Sequence, residues 1–182
     1  MHPVFTIGHS RHALEDFLPL LEGHAVDLLV DVRAAPYSRR YPQFNRETLQ
    51  ADLASVQIRY RWLGDALGGL REGGTGGSHA SLREPAFRAY ASHMASEVFA
   101  QALDRLCAGA ARWRMALMCA EADAAHCHRQ FIADALSLRG VEVQHITAAA
   151  NLQPHRPHPA LRVVDGVLRY DGQSQPALFD PA

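Results

Sequence analysis

The chain has few cysteines and no excess of charge of either sign. Three cysteines among 182 residues are an odd and small number, which argues against a disulfide framework and fits the reduced thiols of a cytosolic protein. The 18 basic and 19 acidic residues nearly cancel, so no overall electrostatic attraction draws the chain to nucleic acid or to an anionic membrane. With basic and acidic residues in balance, binding to such an anionic partner would need a local basic patch.

Long hydrophobic runs and targeting signals are missing as well. No run approaches the roughly 18 apolar residues that are needed to cross a bilayer, and the amino terminus lacks a basic region followed by an apolar one. We therefore expect a cytoplasmic protein with no membrane partner. With 48% hydrophobic and 20% charged residues over 182 positions, the chain has the length and composition of a single globular domain.

Apolar runs alternate with helical patterns along most of the chain. Residues 26–32 and 115–119 are apolar runs with the length and composition of buried strands, and residues 4–8, 58–63 and 141–146 are predicted as three further strands. Helical spacing of apolar residues fills the intervals, including one long helix predicted from Pro85 to Cys107. The order predicts an α/β fold with an open, mainly parallel five-stranded sheet and helices on both faces.

The amino-acid composition changes after residue 147. Residues 147–182 are predicted to form a carboxyl-terminal extension of the single domain, with a β-hairpin over 161–170 around the Asp165-Gly166 turn signal. His155 and His158 lie in a proline-rich part of this extension. We attribute these two histidines to composition rather than to chemistry.

Polar side chains follow the ends of three predicted strands. His9 and Ser10 follow the first strand, Asp31 and Arg33 end the second, and the fourth ends at Cys119. Because the carboxyl ends of parallel strands meet at one edge, where open α/β folds bind ligands, these groups are expected to line a common pocket.

The helix after the fourth strand adds to this pocket. Counted at 100° per residue, His128 points into its apolar face, and Cys127 and Arg129 flank that face. The unpaired N–H groups and the positive dipole end of a helix start favour an anion. An anion-binding wall is therefore expected at the beginning of this helix.

Two glycine- or arginine-rich segments lie outside these elements. The loop over 34–45 follows Arg33 and carries Arg39 and Arg40 between aromatic residues, a pattern suited to phosphate and base contact but also found in solvated loops. The glycine-rich segment 64–84 contains no phosphate-loop or dinucleotide fingerprint. A segment of this length is compatible with a lid.

Three chemistries fit the candidate residues. In the first, Arg33, Arg129 and Ser38 hold a phosphate or carboxylate while nearby acids and histidines move protons. In the second, Cys119 is a nucleophile whose thiolate is stabilised by Arg129 and the helix dipole. In the third, a metal is bound by members of the set Cys119, Glu121, His126, Cys127 and His128. The spacing of that set matches no standard zinc pattern, so no metal ligand is assigned.

Several motifs together resemble one microbial family. They are Thr6-Ile7-Gly8-His9-Ser10, Asp31-Val32-Arg33 with Pro36 and Ser38, Leu67-Gly68-Gly69, and Met118-Cys119-Ala120-Glu121 with Cys127-His128-Arg129. From residue 4 to residue 146 the chain is similar to the bacterial and archaeal family called domain of unknown function 488. The resemblance implies an α/β fold in a soluble microbial protein and brings no settled activity.

A weaker likeness to rhodanese-like domains is local. The order of a strand ending in Asp-Val-Arg, a later strand ending in Cys119 and a helix carrying Arg129 is similar to that of rhodanese-like domains, in which a cysteine loop carries sulfur. The acidic segment 120–125 replaces the short glycine-rich cradle here. Acidic groups beside a thiolate raise its pKa, which disfavours sulfur transfer.

The sequence thus predicts an enzyme that acts on an anionic, phosphate- or nucleotide-containing substrate by acid/base chemistry. The alternatives are a non-catalytic module that binds nucleic acid or protein, and rhodanese-like thiol chemistry at Cys119. The expected catalytic residues are Glu121, His128, Cys119, His9 and Asp31, and the expected substrate-binding residues are Arg33, Arg129, Ser10 and Ser38. Neither a cofactor nor an oligomeric state follows from these patterns.

Overall fold

The computed structural model describes residues 2–73, 79–147 and 151–172. Its main sheet has six strands in the order β3-β2-β4-β1-β5-β6. The strands are β1 (Val4–Gly8), β2 (Leu28–Asp31), β3 (Arg59–Trp62), β4 (Met115–Cys119), β5 (Val143–Ile146) and β6 (Leu152–Pro154). Two further strands, β7 (Leu161–Val164) and β8 (Val167–Tyr170), pair as an antiparallel hairpin.

In the described ranges, six α-helices connect or cover these strands. They are α1 (Leu14–Glu22), α2 (Arg46–Ser55), α3 (Gly64–Leu67), α4 (Pro85–His93), α5 (Glu97–Ala110) and α6 (Arg129–Leu138). Within the described ranges, no helix combines the length and the apolar character needed to cross a membrane. Part of the glycine-rich segment, residues 74–78, lies outside these ranges, so its predicted role as a lid stays a prediction.

The α/β fold, the parallel strands and the hairpin are confirmed, but the strand count is six instead of five. The additional strand β6 pairs antiparallel with β5, and Leu152 lies opposite Ile146. It has only three residues, all exposed, so it carries neither an apolar run nor an apolar/polar alternation. Backbone pairing at a sheet edge forms this strand without the side-chain pattern from which strands are predicted.

The single long helix predicted from Pro85 to Cys107 is wrong. The chain forms α4 and α5, separated by a turn at residues 94–96, and α5 continues to Ala110. Ser96 is the N-cap of α5, because its Oγ accepts a hydrogen bond from the Phe99 backbone N–H at 3.3 Å. Serine is a preferred N-cap residue. Apolar residues recur at helical spacing in both helices, so this pattern alone does not reveal the turn between α4 and α5.

Each face of the sheet buries its own apolar core. Phe5, Ile7 and Leu29 of the sheet pack with residues of α1 and α2 on one face. On the other face, Leu117 and its neighbours pack with α4, α5, α6 and the hairpin. The connection after β2 therefore leads to α2 on the first face, and the connection after β4 leads to α6 on the second.

These two connections start from adjacent strands, since β2 and β4 are neighbours in the sheet, and they lead to opposite faces. Such a reversal, called a topological switch point, opens a crevice at the carboxyl ends of the two strands, and open α/β folds bind ligands there. Here the switch point lies at Val32, which follows β2, and at Cys119, the last residue of β4, and both residues are buried. The fold thus brings the predicted pocket residues to this edge of the sheet.

Candidate functional site

Two cysteines and a histidine meet at the switch point. Cys119 ends β4, Cys127 precedes α6, and His128 is the N-cap residue of α6. All three are buried, and their sulfur and nitrogen atoms lie within 4.8 Å of one another. The His128 Nδ1 atom is 3.8 Å from Cys119 Sγ and 3.7 Å from Cys127 Sγ. We call these three residues the thiol–imidazole cluster.

The imidazole of His128 has a fixed orientation. Its Nε2 atom is 3.0 Å from the backbone oxygen of Val32, and a carbonyl oxygen can only accept, so Nε2 carries the hydrogen. In the neutral ring, Nδ1 is then left with its lone pair facing the two sulfurs. The ring also lies against Tyr90, with 5.2 Å between centroids.

The two thiols of the cluster differ in acidity. The neighbouring Cys119 thiol and the Arg129 guanidinium hold the pKa of Cys127 well below its usual range despite burial. The neighbouring Cys127 and burial raise the pKa of Cys119. The surroundings therefore favour the thiolate form at Cys127 rather than at Cys119, the residue considered as a nucleophile from the sequence.

Arg129 is the largest fully buried side chain of the protein, only 1% exposed. Its guanidinium donates to the backbone oxygens of Glu121 and Ala122, to Thr6 Oγ1 at 3.4 Å and to Cys127 Sγ at 3.4 Å. No carboxylate pairs with it among the residues that the structure describes. Its other partners are backbone oxygens and a hydroxyl, so the sulfur of Cys127 is the partner at which this buried charge favours an anion.

Asp31, Arg33 and His9 form a second buried group on the edge. Arg33 binds both carboxylate oxygens of Asp31, through Nε at 2.9 Å and through a terminal nitrogen at 2.6 Å. Its other terminal nitrogen donates to His9 Nε2 at 3.2 Å, and His9 stacks on Phe44. Burial and the Arg33 charge lower the pKa of His9 to about 4. These three predicted site residues satisfy one another inside the fold.

The remaining predicted residues lie apart from both groups. Ser38 is used within its own loop, where its Oγ accepts a hydrogen bond from the Tyr41 backbone at 3.1 Å. The Glu121 side chain is exposed, and only its backbone oxygen contacts Arg129. His126, a member of the metal set considered above, is 82% exposed and pairs with Asp123.

A cavity of about 350 Å³ opens beside the carboxyl ends of β1 and β5. Gly8, Ala122 and Thr147 contribute to its wall, and Ser10, Arg11, His12 and Asp16 bring polar groups to it. Ser10 is among the site residues predicted from the sequence, whereas Arg11, His12 and Asp16 are not. Their signal was position alone, since residues between a strand end and the next helix reach the ligand-binding edge.

The polar groups of this cavity are available for a ligand. The guanidinium of Arg11, the ring nitrogens of His12 and the hydroxyl of Ser10 make no hydrogen bond or ion pair within the described part of the chain. Ser10 also has a left-handed backbone with φ of 46°, a conformation that non-glycine residues adopt at a cost and that is frequent at functional sites. The cavity thus presents polar groups that have no protein partner in the described ranges, whereas Arg33 and Arg129 use their donors inside the fold.

The histidines of the extension are also built into the fold, contrary to their assignment to composition. His155 Nε2 lies 2.8 Å from Asp134 Oδ1 in a buried pair. His145 Nε2 lies 3.1 Å from His155 Nδ1, and Thr6 Oγ1 is 2.7 Å from His145 Nδ1. Pairing across the tertiary fold, which the local sequence does not encode, gives these residues their role.

A family model settles the relationship suggested by the motifs. The model for the Domain of unknown function DUF488 matches residues 13–136, which is more than half of the chain. The chain belongs to this family. The DUF488 match contains the thiol–imidazole cluster and begins after Ser10, so the first strand and the extension lie outside it. Searches of curated proteins and of solved structures found no match.

Proposed function

We propose that this DUF488 protein is an enzyme that acts on a small anionic substrate, phosphate- or nucleotide-containing, bound in the cavity beside Ser10. The observation that carries the proposal is that Ser10, Arg11 and His12 present unused polar groups to this cavity. Arg33 and Arg129, to which the sequence assigned the anion, use their donors inside the protein. Arg11 therefore replaces them in the proposed function.

The chemistry of these groups suits an anion and proton transfer. A free guanidinium recognises phosphate or carboxylate through two parallel hydrogen bonds. His12 and Asp16 line the same cavity, and an imidazole or a carboxylate positioned beside a substrate acts as a general acid or base. Arg11 would hold the anionic group, while His12 and Asp16 would move protons on the reacting part of the substrate.

The test compares Arg11→Ala with Arg112→Ala. Both arginines are exposed, but Arg112 precedes β4 at the opposite, amino edge of the sheet. Binding of inorganic phosphate and of nucleoside monophosphates would be measured by calorimetry, and hydrolysis of an aryl phosphate by absorbance. Loss of a charged hydrogen bond of about 1.5–3 kcal/mol should weaken anion binding about 10- to 100-fold in Arg11→Ala only.

His12→Gln extends the test to catalysis. It should abolish most of any turnover while leaving phosphate binding within a few-fold of the wild type, because the imidazole moves protons and the guanidinium binds. If no anion binds, or if Arg11→Ala binds as well as Arg112→Ala, the cavity is not the substrate site.

A second candidate function, nucleic-acid binding without catalysis, rests on the loop after β2. Arg39 and Arg40 are exposed there, and Tyr37 is 66% exposed. Exposed arginines beside aromatic rings suit phosphate contact and base stacking. Binding to a short single-stranded oligonucleotide that weakens with salt and disappears in Arg39→Ala/Arg40→Ala would support this candidate. Unchanged binding in that double variant would exclude the loop.

Rhodanese-like chemistry at Cys119 is the weakest of the three functions. Cys119 is buried and its pKa is raised, so it lacks the accessible thiolate that sulfur transfer needs. Absence of thiocyanate formation from thiosulfate and cyanide is the expected result.

A further inference from the structure

The thiol–imidazole cluster lies outside the cavity to which the proposed function belongs. We propose that Cys119, Cys127 and His128 bind a divalent metal ion of the zinc class. This inference does not depend on the substrate or on the reaction proposed above. It rests on the spacing of the three ligand atoms, on the orientation of the imidazole, on the partners of the sulfurs and on a glycine beside the imidazole.

The ligand atoms have the spacing of a tetrahedral site. With Zn–S near 2.3 Å and Zn–N near 2.0–2.1 Å, two ligands of a tetrahedral zinc lie about 3.6 Å apart for sulfur and nitrogen. His128 Nδ1 lies 3.8 Å and 3.7 Å from the two sulfurs. Both nitrogen–sulfur distances are thus within one or two tenths of an ångström of the tetrahedral value, and all three ligand atoms lie within 4.8 Å of one another.

His128 is arranged like a metal ligand in its outer contacts too. Histidines that bind metals usually donate their other ring N–H to a carbonyl or carboxylate, which fixes the tautomer and turns the free nitrogen towards the ion. The Val32 backbone oxygen accepts from Nε2 and leaves Nδ1 facing the sulfurs. This backbone contact crosses from α6 to the end of β2, so the fold itself holds the ring in place.

The charges around the cluster suit two metal-bound thiolates. Metal binding requires deprotonated cysteines and releases their protons. Arg129 donates to Cys127 Sγ and supplies a buried positive charge, so it favours the thiolate form of that ligand. On binding, both cysteines would coordinate as thiolates, and the protons that they release would pass to solvent.

Gly69 packs directly against the nitrogen ligand. A Cβ at this position would lie 2.6 Å from His128 Nδ1, so any other residue would press on the atom that is proposed to bind the ion. Three protein ligands also leave a fourth coordination position for water or substrate, as in catalytic zinc sites and unlike the closed structural ones. The site lies at the switch point, where ligands reach such a sheet.

The irregular ligand spacing in the sequence has a structural reason. Zinc fingers and ribbons place paired ligands on short turns, and their motifs reflect this. Here one ligand ends a strand and two adjacent residues precede the first turn of a helix. The loop between them, residues 120–126, sets the ligand spacing, so no standard motif results.

The test uses the full chain, purified under reducing conditions and stripped of metal. After incubation with zinc chloride and gel filtration, elemental analysis should give about one zinc ion per chain. Cys119→Ser, Cys127→Ser and His128→Gln should each weaken zinc binding by more than about 100-fold, which exceeds the loss typical of an outer-contact variant. Competition with a chromophoric chelator measures these affinities.

Two matched controls come from the same chain. Cys107→Ser removes the third cysteine, which is outside the cluster, and His126→Asn removes an exposed histidine only two positions from His128. Both should bind zinc like the wild type. If these variants lose the ion, or if the cluster variants retain it, the metal is held elsewhere and the proposal is overturned.

Cobalt provides a measurement that needs no variant. Substitution of Co²⁺ in the wild type should give visible absorption of tetrahedral intensity and a sulfur-to-cobalt charge-transfer band in the near ultraviolet, with an intensity that indicates two thiolates. A cobalt complex without the charge-transfer band contradicts the proposal even if the cysteine variants fail to fold. Loss of phosphate binding in Arg11→Ala with an intact cobalt spectrum would separate the cavity from the metal site.

Discussion

The environment of a single glycine shows how tightly the cluster is built. Gly69 follows α3 and approaches the His128 ring, which is fixed on its far side by the Val32 oxygen. The ring therefore cannot move away from an added side chain without breaking that hydrogen bond. Glycine at 69 is required by this close approach rather than by a turn.

Gly69→Ala should destabilise the protein and disturb the imidazole. The added methyl group would have to displace the ring, and overpacking of this kind costs about 1–3 kcal/mol. The free energy of unfolding, measured in urea by tryptophan fluorescence, should fall by that amount, and zinc affinity should fall with it. The neighbouring Leu70→Ala is the control, because Leu70 is 79% exposed. Equal stabilities for the two variants would contradict this account.

The residues of the cluster could be singled out from the sequence, but their partners could not. The strand end at Cys119 and the helix start at Cys127 to Arg129 were recognisable from apolar periodicity. Whether an arginine faces a ligand or a buried partner depends on residues far away in the chain, such as Thr6 for Arg129. Residues 11 and 12 were missed because nothing in their local pattern distinguishes a cavity wall from an exposed turn.

Helix α6 connects the sheet with the carboxyl-terminal segment. Asp134 on this helix accepts hydrogen bonds from His155 Nε2, the Tyr170 hydroxyl at 3.0 Å and the His158 backbone N–H at 3.2 Å. Its carboxylate is buried, so water cannot replace these partners. One acidic side chain of a helix thus holds both the segment before the hairpin and the end of β8.

Asp134→Ala should lower the free energy of unfolding by about 3–5 kcal/mol, the cost of removing one partner from a buried charged network. The matched control is Asp104→Ala, which breaks an exposed ion pair with Arg139 and should cost less than about 1 kcal/mol. Urea denaturation compares the two. A small effect at Asp134 would mean that the carboxyl-terminal segment adds little to stability.

The elements themselves were largely predictable, and the failures have local causes. Strands β1 and β4 are buried throughout and β2 is buried over most of its length, so their apolar runs identify them. Strand β3 at the sheet edge alternates exposed and half-buried residues. Strand β6 has only exposed side chains, and the break between α4 and α5 depends on the cap at Ser96. Backbone pairing forms β6, and the hydroxyl of Ser96 caps α5; hydrophobic patterns are insensitive to both kinds of hydrogen bond.

At the scale of the whole molecule, buried and half-buried neutral histidines make the free energy of unfolding depend on pH. Burial and the nearby charges of His155 and Arg129 lower the pKa of His145 from 6.5 to about 4, while Asp123 acts in the opposite direction. The pKa values of His9, His79, His93 and His158 are lowered as well. Between pH 6.5 and 4, the unfolded chain binds protons at these sites that the folded chain does not.

Stability should therefore decrease as the pH falls from 6.5 to 4. His145→Gln, which keeps one donor and one acceptor, should remove about 1–2 kcal/mol of this decrease, since the ring is only partly buried. Urea denaturation at several pH values measures the slope for each protein. His126→Gln changes an exposed histidine and should leave the slope unaltered. An equal slope in His145→Gln and wild type would show that this ring titrates normally in the fold.

The position of β4 in the sheet has a consequence for how the chain folds. Strand β4 lies between β2 and β1, so the pair β2–β3 and the pair β1–β5 are joined only through it. Residues near position 5 must wait for partners near positions 116 and 144, and closing such long loops is entropically costly and slows folding. During synthesis, the amino-terminal strand emerges more than a hundred residues before its first neighbour, and the functional edge is assembled last.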